Sequence, residues 1–197
     1  MKNLLTIVLL FVATALQAQK LKWHFGPTAS LNLSAIEGKG MSKKMVAGLQ
    51  AGGFAQLVLN SKWSIQPEVV YTDENVNKGN DFLTYYNVDG RVDAFSNLQL
   101  NYISIPILAR FDLNKKVAFM AGPQYGYLFN SYENLSRTGI PGFKKSNLSA
   151  NVQAQFKIDN VGFFVRYNQG ITNINNLDNR YKWRTVNLQI GTSVAIR

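Results

Sequence analysis

From residue 147 to residue 158 the chain reads NLSANVQAQFKI, and polar and apolar residues alternate at every position. Successive side chains of a strand point to opposite faces. Leu148, Ala150, Val152, Ala154, Phe156 and Ile158 therefore share one face, and Asn147, Ser149, Asn151, Gln153, Gln155 and Lys157 share the other. A helical period cannot reproduce this pattern, so the segment is a strand with one dry face and one wet face. The open question is whether the dry face looks into a protein core or out into lipid.

The same period recurs along the chain. Trp23, Phe25, Pro27, Ala29, Leu31 and Leu33 are in phase, and so are Leu49, Ala51, Gly53, Ala55, Leu57 and Leu59. Trp63, Ile65, Pro67, Val69 and Tyr71 follow, then a segment over about 97–111 in which Leu98, Leu100 and Tyr102 give way to Ile103, Ile105, Ile107, Ala109 and Phe111. Val117 to Phe129, the opening stretch, Val161 to Ile171 and Val186 to Ile196 complete eight period-2 segments, with no helical period after residue 18. The links alternate strictly. Asn60-Ser61, Leu113-Asn114-Lys115 and Asp159-Asn160 are tight turns, whereas 35–44, 73–96, 130–146 and 173–182 are long. An up-and-down arrangement gathers all long loops at one end, and all short turns with both termini at the other. The expected fold is an all-β, eight-stranded antiparallel up-and-down transmembrane β-barrel.

Composition favours lipid. Charged residues are 16% of the chain, against roughly 25% in soluble domains, and the polar strand positions are mostly Asn, Gln, Ser, Thr and Gly. On the apolar face Trp23, Phe25, Trp63, Phe111, Phe119, Phe156 and Phe163 gather toward the short turns, and Tyr71, Tyr127 and Phe129 toward the long loops. Large rings at both ends of an apolar band suit two membrane interfaces. Residues 1–18 read as a signal peptide: Lys2 is the basic start, Leu4 to Ala15 the apolar run, and Ala18 the cleavage point. Residues 19–197 would then be the barrel domain, with 20 basic and 11 acidic residues and both ends periplasmic. No basic run is clustered as nucleic acid requires, so the excess points to an anionic membrane surface.

Two features resist regularity. Pro27, Pro67, Pro106 and Pro123 fall inside strands, where each removes a ladder hydrogen bond. The change of phase at Tyr102-Ile103 reads as a bulge, and an irregular patch is expected across the third to fifth strands; tolerance near a polar rim is the other reading. The chain also ends Val194-Ala195-Ile196-Arg197, without a terminal aromatic residue.

The phrases AGGFAQLVLNSKWSIQPEVVYT, LNYISIPILARF, MAGPQYGYLF and VRYNQGITNI resemble the PorT-type outer-membrane β-barrel domain of Bacteroidota. QPEVVY and SIPILARF are the most specific part, and the similarity covers Gln19 to Arg197. It implies an outer-membrane barrel and, from the family's namesake, a link to secretion; it implies no defined activity.

Eight strands enclose a lumen that side chains just fill. Gln66, Glu68, Arg110, Gln153, Gln155, Arg166 and Asn168 lie on the polar face. They are expected to form a polar network there, with Glu68 paired to Arg110 or Arg166 as a plug, because charges away from water must be paired. A gated path is the competing reading. The lone His24 cannot assemble a nucleophile, base and orienting group, so catalysis is not expected. No cofactor or metal site is expected either: the acidic residues of loop 73–96 match no calcium-loop spacing. In that loop Phe82, Tyr85, Tyr86 and Phe95 are candidates for a contact surface, or for packing on the barrel wall. Lys39, Lys43, Lys44, Lys144, Lys145, Arg180, Lys182 and Arg184 at the same end could meet phosphates of the outer leaflet. The expected partners are outer-membrane lipid and lipopolysaccharide, and proteins of secretion or envelope assembly. The alternative function is a soluble exported β-barrel that binds a small apolar ligand; it requires the Leu148 to Ile158 set to point inward.

Overall fold

The computed structural model describes residues 22–86, 97–133, 135 and 141–196. The proposed signal peptide, Phe95 and the terminal Arg197 lie outside them. Eight strands follow in order: β1 (Lys22–Glu37), β2 (Val46–Val58), β3 (Trp63–Asn77), β4 (Asn97–Asp112), β5 (Val117–Tyr132), β6 (Ser146–Ile158), β7 (Val161–Gly170) and β8 (Arg184–Val194). Each pairs antiparallel with the next, and β1 pairs with β8, so the sheet closes on itself. Closure removes both edges, the one way a sheet can sit in hydrocarbon without orphaned backbone groups.

The opening stretch decides the direction. Leu148, Val152 and Phe156 are 40%, 59% and 46% exposed on the outer wall, while Asn151, Gln153 and Gln155 are buried in the lumen. A soluble barrel with an apolar interior requires the reverse, and that alternative is corrected here. The outer wall is an apolar band over all eight strands, with Leu49, Val69, Ile107, Val165 and Ile190 exposed in its middle. Rings border it: Trp63 packs on Phe111 at 4.9 Å and Trp23 on Phe25 at 5.9 Å at the short-turn end, and Tyr71 on Phe129 at 5.9 Å at the long-loop end.

The prolines mark gaps in the ladder. Pairing of β2 with β3 passes from Phe54–Glu68 to Leu57–Ile65, skipping Pro67 and its neighbour. Pairing of β3 with β4 skips Pro106, and that of β4 with β5 skips Pro123. Between β1 and β8 regular pairing starts at Thr28–Ser193, and one bridge, Phe25–Ile196, lies beyond Pro27. Each proline still pairs with its strand on the other side: Pro27 with Gly53, Pro67 with Ile107, Pro106 with Gln124 and Pro123 with Ala150. Each gap thus falls on the side where the missing N–H would have bonded.

The bulge is not where the alternation located it. The register shifts at Asn101/Tyr102, but the extra residue is Phe129 of β5. β4 keeps one phase throughout, so Leu98, Leu100 and Tyr102 stay on the inner face with Ser104, Leu108 and Arg110. The apolar residues change face there and the backbone does not. A single helical turn, α1 (Phe82–Tyr85), interrupts the longest loop, where no helix was expected.

Candidate functional site

The lumen has three layers. In the middle, Arg166 of β7 lies 1% exposed and donates from Nη2 to Glu68 Oε1 of β3 at 2.7 Å and from Nε to Gln153 Oε1 of β6 at 2.6 Å. Gln66 Nε2 donates to the same Glu68 oxygen at 2.9 Å. The ion pair therefore crosses the barrel, because β3 and β7 are not neighbours, and it bolts opposite walls together. The Arg166 guanidinium also lies 5.3 Å from the centre of the Phe164 ring. Toward the long loops Asn168 donates to Ser149 Oγ at 2.8 Å and to Asn151 Oδ1 at 2.9 Å, and Asn151 donates to Gln124 at 3.1 Å. Asn187 of β8 donates to Glu74 Oε1 at 2.9 Å, a second contact across the lumen.

At the short-turn end the lumen opens into a cavity of about 270 Å³, lined by His24, Gln66, Arg110, Asp112, Gln155 and Lys157 among others. Of the two arginines expected as partners of Glu68, Arg110 does not reach it. It pairs with Asp112 two residues on, at 2.9 Å, and donates to Gln155. Lys157 closes on the same carboxylate at 3.1 Å. Gln155 turns its amide toward Ser193 Oγ at 2.8 Å, across Gly162. A Cβ on Gly162 would stand 2.1 Å from Gln155 Nε2, so the Gln155 amide would have to leave this position for any larger residue at 162.

The long-loop end is shut by an apolar cluster. Trp183 and Ile174, both 0% exposed, pack with Ile36, Met41, Val76, Leu98, Leu100, Tyr102, Leu128, Leu135 and Phe143. Phe82 and Tyr86 of the longest loop join it, at 4.9 Å from each other, with Tyr86 5.2 Å from Trp183. Trp183 Nε1 and Tyr86 Oη both donate to the Lys39 carbonyl, at 3.1 and 3.2 Å. Asn175 Nδ2 donates to Tyr86 Oη at 3.1 Å and to the Tyr181 carbonyl at 2.8 Å. Burial pushes the Tyr86 phenol above its ordinary range, while hydrogen bonds from Arg180 hold Asp178 below the usual carboxylate range.

All seven residues read from the sequence as lumen residues line the barrel interior. Glu68, Gln66, Gln153 and Arg166 come together in one layer, Arg110 and Gln155 in the layer below, and Asn168 in the layer above. Of the loop aromatics, Phe82 and Tyr86 are buried at 3% and 4%, which corrects the contact reading for them in favour of packing. Tyr85 is half-buried, 5.3 Å from Tyr181. Sequence reasoning missed Asp112, Glu74, Asn187 and Trp183. The signal existed: Trp183 is in phase with Thr185, Asn187 and Gln189, the polar face of β8, and Asp112 is in phase with Arg110. Among the described residues no group of three or more His, Cys, Asp or Glu side chains could hold a metal ion.

A closed eight-stranded barrel with an apolar outer band, ringed borders and a filled polar lumen defines an integral outer-membrane β-barrel protein. The chain belongs to the outer membrane protein beta-barrel domain family, whose model matches residues 17–176. Its fold is similar to that of Ail, the attachment invasion locus protein of Yersinia pestis, solved in complex with the heparin analogue sucrose octasulfate: TM-score 0.51, 12% identity, covering 89% of this chain and 99% of that one. Neisserial surface protein A is similar at TM-score 0.48 and 14% identity, covering 89% and 99%. OprG from Pseudomonas aeruginosa is similar at TM-score 0.48 and 12% identity, covering 90% and 95%. No curated protein sequence matches the chain.

Proposed function

We propose that the protein is a non-enzymatic, non-conducting barrel that works by contact, through its long-loop face, in secretion or envelope assembly. The observation that carries this reading is double closure of the lumen. Among the described residues the Glu68–Arg166–Gln153 layer fills its middle and the Trp183 cluster its long-loop end, which supports a lumen without a through path for solute. A barrel that cannot transmit solute is left with its surfaces. The secretion role is supported by the likeness of QPEVVY and SIPILARF to PorT-type domains of Bacteroidota. In this reading residues 1–18 are removed on export, residues 19–197 form the domain, and both mature ends face the periplasm. The long loops then face outward, and the complex of Ail with a heparin analogue supports contact as a use of the same fold.

Two measurements test the proposal. Planar-bilayer recordings of the purified protein are expected to stay at background conductance; discrete steps would overturn the filled-lumen reading. Affinity capture from native envelopes is expected to retain secretion or assembly components. Recovery of the barrel alone, under conditions that preserve other envelope complexes, would remove the contact role.

A further inference from the structure

Apart from Glu133 Oε2, just beyond β5, the buried side-chain atoms that lack a hydrogen-bond partner among the described residues fall into two sets. In the middle layer a donor is left beside acceptors: Arg166 Nη1, Glu68 Oε2 and Gln189 Oε1, with Gln189 opposite Arg166 in register. The layer above holds oxygens alone: Asn32 Oδ1 of β1, Glu74 Oε2 of β3, Tyr102 Oη of β4 and Asn187 Oδ1 of β8. These four residues are 0%, 3%, 1% and 1% exposed.

Strand pairing and hydrogen bonds bring the four together. Asn32 lies opposite Gly48, and a Cβ at Gly48 would stand 2.1 Å from the Asp73 carbonyl oxygen. With no side chain in the way, Asn32 Nδ2 reaches that same carbonyl at 3.4 Å, which sets its amide beside Glu74. Its Nδ2 also donates to Ser34 Oγ at 2.8 Å, and Ser34 lies opposite Asn187. Asn187 Nδ2 donates to Glu74 Oε1 at 2.9 Å and to Asn168 Oδ1 at 3.3 Å. Both amides thus spend their N–H groups elsewhere and leave their oxygens over. Tyr102 is two residues from Leu100, the register partner of Glu74, a diagonal that a long side chain spans.

Charge narrows what this layer can hold. Glu74 forms no ion pair among the described residues, and Arg166, one layer below, is already held by Glu68. A carboxylate so deeply buried must be neutralised. A proton would do so, but it adds one donor for the three other oxygens. The Tyr102 hydroxyl is the one donor in the set, and it bonds to none of the others, so it stands off from them beyond hydrogen-bond distance. Carboxylate, amide and phenol oxygens set apart in this way are ligands for a hard cation. The single carboxylate chooses its valence: a monovalent ion leaves the layer neutral, whereas a divalent one leaves a buried positive charge unpaired.

We propose that Asn32, Glu74, Tyr102 and Asn187 bind a monovalent alkali cation, sodium being the type, in the lumen beneath the Trp183 cluster. The ion ties β3 to β1 and β8 across the barrel. The site is independent of the contact role proposed above and of which way the long loops face.

The test is salt-dependent unfolding of the folded, full-length barrel in phosphatidylcholine vesicles. Urea unfolding is followed by gel migration in sodium chloride or in choline chloride at matched ionic strength. For a Kd on the order of 10 mM, about 100 mM sodium should raise the ratio of folded to unfolded protein about 10-fold over choline. Glu74→Gln keeps the shape, removes the charge and should show no difference between the two salts. Should that variant fail to show heat-modifiable migration, wild-type crystals soaked in thallium(I) acetate carry the test, with an anomalous peak expected between Glu74 and Asn187. Absence of that peak overturns the site. Equal wild-type stability in the two salts overturns it as well, in favour of a neutral Glu74 carboxyl where stability follows pH instead, and of an internal water where it follows neither. A sodium effect that survives Glu74→Gln places the ion elsewhere and overturns the assignment. Stabilisation by micromolar calcium in sodium-free buffer overturns the choice of a monovalent ion.

Discussion

Glu68→Ala should be among the most damaging single substitutions in the wall. Glu68 is 2% exposed and Arg166 1%, and their 2.7 Å bond joins β3 to β7 across the lumen. Removing the carboxylate leaves Arg166 charged and buried, with the Gln153 amide as its remaining hydrogen-bond partner and the Phe164 ring beside it, while its Nη1 already lacks a hydrogen-bond partner. It also strips Gln66 of the acceptor it uses at 2.9 Å. Breaking one side of a buried ion pair costs about 3–5 kcal/mol, most of it the orphaned charge. The double variant Glu68→Met with Arg166→Met removes both charges together and should cost less than the sum of the single changes by about 2 kcal/mol or more. The assay is guanidinium unfolding in lipid vesicles, followed by tryptophan fluorescence and by gel migration with and without heating. A Glu68→Ala cost below about 1 kcal/mol, or strict additivity in the double variant, would refute the view that the pair is a dry bolt and would place bulk-like water beside it.

Three further expectations follow from the layers above and below. Gly162→Ala puts a methyl group 2.1 Å from Gln155 Nε2, displaces that amide from Ser193 and Arg110, and should lower stability by about 1–3 kcal/mol in the same unfolding assay. Trp183→Ala empties the centre of the apolar cluster and should cost about 3–5 kcal/mol, with faster protease cleavage of the long loops and unchanged background conductance. Glu133, just beyond β5, accepts from Gly142 N–H at 3.0 Å, yet burial raises its pKa above the usual 4.5. A carboxyl whose folded pKa is raised binds more protons in the native state, so stability falls as pH climbs from the ordinary carboxylate range through the raised value. Glu133→Gln should flatten that slope in unfolding midpoints measured across the range.

The barrel was legible because its wall is almost pure alternation. In β6 every residue from Asn147 to Phe156 takes the face its parity assigns, and the order of short and long links follows from chain length alone. What the alternation hid was the long-loop half of the lumen. Leu98, Leu100 and Tyr102 share a face with Ser104 and Arg110, and a reading that equates apolar with lipid-facing must then postulate a flip in β4. A lumen can be dry as well as wet when loops fold in to cap it, and Trp183 in phase with Thr185 and Asn187 was the trace of that. Ion-pair choice was beyond the pattern for another reason. Glu68 could reach either arginine in principle, and Asp112 two residues beyond Arg110 captured it first.

Trp183 also bears on the order of assembly. Its indole N–H reaches Lys39, 144 positions away in sequence, just past the end of β1, while its own backbone immediately precedes β8. That hook spans the one junction where the two ends of the polypeptide meet, a junction whose ladder is already broken at Pro27. The tryptophan can be sheathed only after the last strand has found the first, so it acts as a clasp that fastens when the cylinder completes. Its emission should therefore shift to the blue as the final event of insertion, later than that of Trp23 or Trp63, whose rings need only lipid.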